Sequence, residues 1–208
     1  MQILKISGRV FRRALALSGV TLMVALALGG CTAGRGTMPT PLDLGAGVAA
    51  PRTQLPAHPP IAVPIASAAA LLNEVRVIWR IGDQGQPQAY ATYQWVAPPA
   101  QLVTQRVVDR LSLQGAVLPQ NVGGELPQVR INLQRFEQTF SPDGATSQGQ
   151  LTMQVVLVRG SKVSDQLLID LSVPAATQDA PGGAVALRQA TEKAAEQIAQ
   201  WLSRQFNS

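Results

Sequence analysis

Few side chains in this 208-residue chain could do covalent or metal chemistry, for it has one cysteine and one histidine. Cys31 closes the stretch Leu28-Gly29-Gly30-Cys31. With no second thiol, no internal disulfide forms, so a reactive role for Cys31 itself needs an explanation. His58 stands between Ala57 and Pro59 with no metal-ligand spacing around it, and reads as a solvated side chain. Neither residue builds a nucleophile–base pair in the body of the chain. The carboxylates Glu74, Asp83, Asp109, Glu125 and Glu137 are scattered over turns and polar faces, and no spacing selects two of them for acid–base work. Gly123-Gly124 and Gly182-Gly183 punctuate elements, and no phosphate-cradling loop or clustered metal motif is present. The expectation is a non-enzymatic protein without cofactor or metal.

What precedes Cys31 explains the thiol. Lys5, Arg9, Arg12 and Arg13 are followed by an apolar run from about Ala14 to Leu28, then by two glycines. A basic start, a short apolar core and small residues at the end describe a secretory signal. The run is shorter than the roughly 20 residues that span a bilayer as a helix, although an uncleaved anchor is the alternative. The Leu-Gly-Gly-Cys end resembles the lipobox of bacterial lipoproteins. That resemblance implies cleavage between Gly30 and Cys31 and acylation of the Cys31 thiol, which would tie the chain to a membrane by lipid. Thr32 stands where an aspartate would resemble an inner-membrane retention signal, which points to the outer membrane.

The formal charge of +5 belongs largely to that leader. Without the first 30 residues, 13 Lys and Arg face 12 Asp and Glu. A nearly neutral chain offers no electrostatic ground for binding nucleic acid. Residues 31–60 are rich in Pro, Gly, Ala and Thr and lack a sustained apolar period, so they read as a lipidated cysteine and a flexible tether. Residues 61–208 suit one domain with its own core. Three segments are thus expected: 1–30 leader, 31–60 tether, 61–208 periplasmic domain.

Within 61–208, Ile61, Val63 and Ile65 suggest a first strand or extended lead-in. Val75, Val77 and Trp79 alternate with Arg76 and Arg80, and after the turn cluster at 82–87 the alternation resumes through Val96, so a hairpin is expected. Pro98-Pro99 opens a helix carrying Leu102, Val103, Val107, Arg110 and Leu111 at helical spacing, with Gly115 as its stop. Three strands follow. Val129, Ile131, Leu133 and Arg135 share one face; then Leu151, Met153, Val155 and Leu157; then Leu167, Ile169, Leu171 and Val173. The turns are Ser141-Pro142-Asp143-Gly144 and Arg159-Gly160-Ser161-Lys162. A last helix from about Gly183 to Phe206 places Leu187, Ala190, Ala194, Ile198, Trp201 and Leu202 on one stripe, which covers the sheet or receives a partner. The fold class expected is α+β: an antiparallel sheet of about five strands with two helices on one face.

The stretch from Tyr90 through Trp95 and Pro98-Pro99 to Leu102 resembles a signature region of the ABC-type transport auxiliary lipoproteins, which accompany MCE-domain lipid transporters of the Gram-negative envelope. Leu42-Asp43-Leu44-Gly45 is similar to an early segment of that family, with Leu42 in place of its aromatic residue. The resemblance implies an accessory, partner-binding role beside an MCE-domain protein and its permease and ATPase, with lipid as a further contact. No lipid-site residue carries over. Trp79, Tyr93 and Trp95 fall near one hairpin and are either core or partner surface. The competing readings are an outer-membrane assembly lipoprotein that binds a β-barrel, and a small lipid carrier with an apolar cavity between sheet and helices.

Overall fold

The computed structural model describes residues 38–46, 54–83, 85–119 and 125–207. All of them belong to one compact unit, Met38–Ser208. The expected leader, including Gly30 and Cys31, lies outside the described residues. In chain order the strands are β1 (Thr40–Leu42), β2 (Ile61–Ala62), β3 (Ser67–Ala68), β4 (Arg76–Ile81), β5 (Gln88–Trp95), β6 (Val117–Leu118), β7 (Gln128–Phe140), β8 (Ser147–Arg159) and β9 (Lys162–Pro174). The helices are α1 (Pro99–Leu111) and α2 (Ala180–Asn207), with a 3-10 turn at Ala70–Asn73.

The expected meander and hairpin are present. β7, β8 and β9 pair antiparallel in sequence, as do β4 and β5. The expectation of a wholly antiparallel sheet of about five strands is corrected: among the described residues the sheet is mixed and has nine strands. β7 is its axis. One edge of β7 carries β8 along its whole length. Along its other edge the chain from Ile61 to Ile81 advances in parallel, pairing first through β2 at Gln128, then β3 at Asn132–Leu133, then β4 at Gln138–Phe140. This broken strand pairs parallel because β5 and α1 carry the chain back before β7 begins, and parallel neighbours need such a crossover.

Alternation puts one face of β8 inward: Leu151, Met153, Val155 and Leu157 are wholly buried. The other face bears polar pairs across to β9, Thr152 with Asp170 and Gln154 with Gln166. Both helices therefore pack on the apolar side. The α2 stripe from Leu187 to Leu202 is buried as expected, and α1 contributes Val103, Val107 and Leu111. Each Val, Leu or Ile among them stabilises the fold by about 1.5–3 kcal/mol when fully buried. Arg110 is buried at the helix–helix contact, where its Nε donates to Glu196 at 2.6 Å.

A bulge alters β7. The register with β8 shifts between Leu133 and Arg135, so Gln134 is the extra residue. Beyond it the inward parity reverses. Phe136 is buried against the core in place of Arg135, whose side chain instead bonds Glu137 and Asp83 on the opposite face. The expected inward position of Arg135 is thereby corrected.

The expected tether is also corrected where it is described. Thr40–Leu42 pairs with Tyr93–Trp95 in parallel, and Leu44 is buried in the core. Arg106 of α1 holds this segment: Nη2 donates to the carbonyls of Leu44 and Gly45, each at 2.8 Å, and Nη1 to that of Ala46 at 3.1 Å. His58 is buried, not solvated. Its Nδ1 lies 2.7 Å from the Pro59 carbonyl and its Nε2 3.0 Å from that of Leu111. Gly115 does more than follow the helix: a Cβ there would stand 2.4 Å from the His58 carbonyl oxygen, so only glycine admits this close pass. The packed unit thus starts at Met38 rather than at Ile61.

Candidate functional site

At the far end of the broken strand, β4 and β7 run side by side with Trp79 next to Gln138 and Ile81 next to Phe140. Tyr90 of β5 stands on the same side. Together these residues line an open, mainly apolar groove of about 490 Å³, with Gln178 at its margin just before α2. The rings brace one another: Trp79 meets Phe140 edge-on at 5.8 Å and Tyr90 tilted at 6.1 Å. Ile81 is half exposed. Such a cluster at an accessible strand end offers aromatic area at little entropic cost to a partner.

The floor is polar and satisfied. The Tyr90 hydroxyl donates to Gln138 Oε1 at 2.8 Å, Gln138 Nε2 donates to Ser147 Oγ at 2.7 Å, and Ser147 Oγ donates to Gln178 Oε1 at 2.7 Å. Gln138 is itself buried beneath α2, where a Cβ on Gly183 would come 2.3 Å from its Oε1. Glycine at 183 lets the helix sit down on this amide. Burial, then the negative charge of Asp179, then Tyr93 push the Tyr90 hydroxyl up to about 12. Asp179 is held below the usual carboxylate range by the Thr177 hydroxyl and by the Gly182 amide at the start of α2. Ser147 has two amides as hydrogen-bond partners and no base, so this chain of groups orients side chains rather than activating a nucleophile.

On the opposite face, Glu137 is buried between two cations. Arg80 Nη2 donates to Oε2 at 2.9 Å and Arg135 Nε to Oε1 at 2.5 Å, while Arg135 also reaches Asp83 at 2.9 Å. Glu137 and Asp83 are therefore structural ion-pair members. Among the described residues no group of three or more His, Cys, Asp or Glu could hold a metal ion. Among them, too, no helix is long and apolar enough to cross a membrane.

Of the three aromatics singled out in the sequence, one lines the groove. Trp79 does. Tyr93 lies behind it, edge-on to Tyr90 at 6.2 Å and packed against the core. Trp95 is 1% exposed and meets the Phe136 ring at a tilt, so its reading as partner surface is corrected to core. The sequence reading did not single out Tyr90, Phe140 or Ile81 as surface. For Ile81 and Phe140 the available signal was an apolar or aromatic residue at the last position of a strand before a turn.

Fold and groove together define a sheet-and-helix module with an open apolar and aromatic groove at one end of its sheet. Residues 42–199 match the family model for the ABC-type transport auxiliary lipoprotein component, and the chain belongs to that family. It is thus an auxiliary lipoprotein component of an ABC-type transport system, with a membrane-associated place in the cell envelope. The match begins at Leu42, the last residue of β1, just before the segment that Arg106 holds. No curated protein matches the chain in sequence. Among solved structures it resembles protein XCC0632 from Xanthomonas campestris, of the DUF330 family, at 18% identity and a TM-score of 0.67, over 80% of this chain and 95% of that one. It also resembles an uncharacterized protein at 14% identity and a TM-score of 0.62, over 79% and 99%. These likenesses confirm the α+β fold.

Proposed function

We propose that this protein is a non-enzymatic docking subunit of an MCE-linked lipid ABC transporter, and that the groove at Trp79, Tyr90 and Phe140 receives the MCE-domain protein. The family match carries the accessory role, and the exposed aromatic cluster supplies a surface of the kind that anchors protein partners. In this reading the leader is cut between Gly30 and Cys31, lipid on Cys31 holds the chain in the outer membrane, and the folded unit faces the periplasm. The permease and ATPase are reached through the MCE-domain protein, and no nucleotide site is needed here.

The lipid-carrier reading loses its main expectation. The space between sheet and helices is filled by Val103, Val107, Met153, Val155, Ala194 and Ile198, each fully buried. Affinity purification of the tagged protein from mildly solubilised envelopes, with mass spectrometry, tests the proposal. An MCE-domain protein recovered with its permease and ATPase supports it. Recovery of a β-barrel without those components overturns it in favour of the assembly reading.

A further inference from the structure

Four described strands pair with one neighbour only, and they are not equal. β1 has three residues, one of them Pro41; β3 and β6 have two each. β9 has thirteen and pairs only with β8. A long free edge is a template for another strand, and proteins blunt it with bulges, prolines or outward charges. β9 is blunted at its start, where the register with β8 shifts around Ser164 and Lys162 is exposed. From Asp165 to Val173 the ladder is regular and lacks proline. Its two carboxylates are engaged within the chain: Asp165 accepts from Trp201 Nε1 and Gln205 Nε2 of α2, and Asp170, exposed on the polar face, accepts from Thr152 of β8. Leu168 is 68% exposed, and Leu167 and Leu171 on the helix side are only partly buried.

We propose that β9 pairs antiparallel with β9 of a second copy of this chain, about a two-fold axis passing beside Leu168, so that two sheets become one. The strand is complementary to itself in this register. Leu168 meets Leu168, and Leu167 meets Ile169. Gln166 meets Asp170, an amide facing a carboxylate, so no like charges stand opposite each other. The most exposed leucine of the unit is covered, and the half-buried leucines gain the neighbours that α2 does not provide.

Cysteine cross-linking of the full chain in its native envelope tests this. Directly opposed residues in an antiparallel pair lie about 4.5–5.5 Å apart at Cα, within the roughly 4.4–6.8 Å that a disulfide spans. Leu168→Cys is expected to give a covalent homodimer as the main species under mild oxidation. Gln166→Cys, which faces Asp170 and not itself, is expected to stay at the level of the unsubstituted chain, whose only cysteine is Cys31. Leu168→Lys is expected to shift the purified protein from dimer to monomer in sedimentation with its melting temperature kept, because the side chain is exposed. Equal cross-linking at 166 and 168, a cross-link from 168 to a different protein, or a Leu168→Lys variant that sediments like the unsubstituted chain would overturn the pairing.

Discussion

Trp95 and Phe136 meet ring to ring at a centroid distance of 5.5 Å, although strict alternation along β7 would send Phe136 to the other face. The bulge at Gln134 turns it inward. Both rings are essentially unexposed, so Trp95→Ala leaves a cavity that neighbours only partly fill. A loss of about 3–5 kcal/mol in urea unfolding is expected, with no selective effect on partner recovery at equal folded amounts.

Trp79→Ala should behave in the opposite way. The side chain is partly exposed at the groove, and its removal takes the central ring away from Tyr90 and Phe140. Co-purification of the transporter partner is expected to fall by at least tenfold, as for an anchor residue worth about 2 kcal/mol or more. The melting temperature should fall far less than for Trp95→Ala. Unchanged partner recovery would remove the groove from the docking proposal.

Tyr90 offers a spectroscopic handle. The chain has two tyrosines, and the Tyr90 hydroxyl is raised to about 12, mainly by burial. A raised phenol means that the unfolded chain releases this proton first. The Tyr90 contribution to stability is therefore intact below pH 10 and is lost as pH rises from 10 through about 12. Absorbance titration of tyrosinate should show a late phase that Tyr90→Phe abolishes. The same substitution should reduce the alkaline loss of stability.

Arg106 sustains three hydrogen bonds to consecutive carbonyls while almost fully buried. Arg106→Ala leaves these oxygens without their donor and is expected to destabilise the fold by about 2–4 kcal/mol. Arg106→Lys should recover only part, since an ammonium lacks the planar fork that spans several acceptors. Limited proteolysis should cut near Leu44–Ala46 faster in both variants. Equal cutting rates would show that β1 and the core hold the segment without Arg106.

The elements with long, local apolar periods were legible. The β4–β5 hairpin, the β7–β9 meander, α1 after Pro98 and the buried stripe of α2 follow from residues close in sequence, whose alternation or helical spacing states which side is apolar. The family resemblance rested on Tyr90–Leu102 and Leu42–Gly45, inside the region that the family model covers. Tertiary structure alone decided the rest. β2 and β3 have two residues each, too few to make a pattern, and they pair with β7 residues far along the chain. A bulge is a single unpaired residue with no distinctive type, so the reversal that buries Phe136 instead of Arg135 cannot be read from alternation. Composition made Thr40–Leu44 and His58 look like tether, yet a strand edge, Arg106 and the gap left by Gly115 take them into the fold. The separation of Trp95 in the core from Trp79 at the groove has the same origin. A sequence states which residues prefer burial, but where the helices stop covering the sheet depends on how distant segments pack.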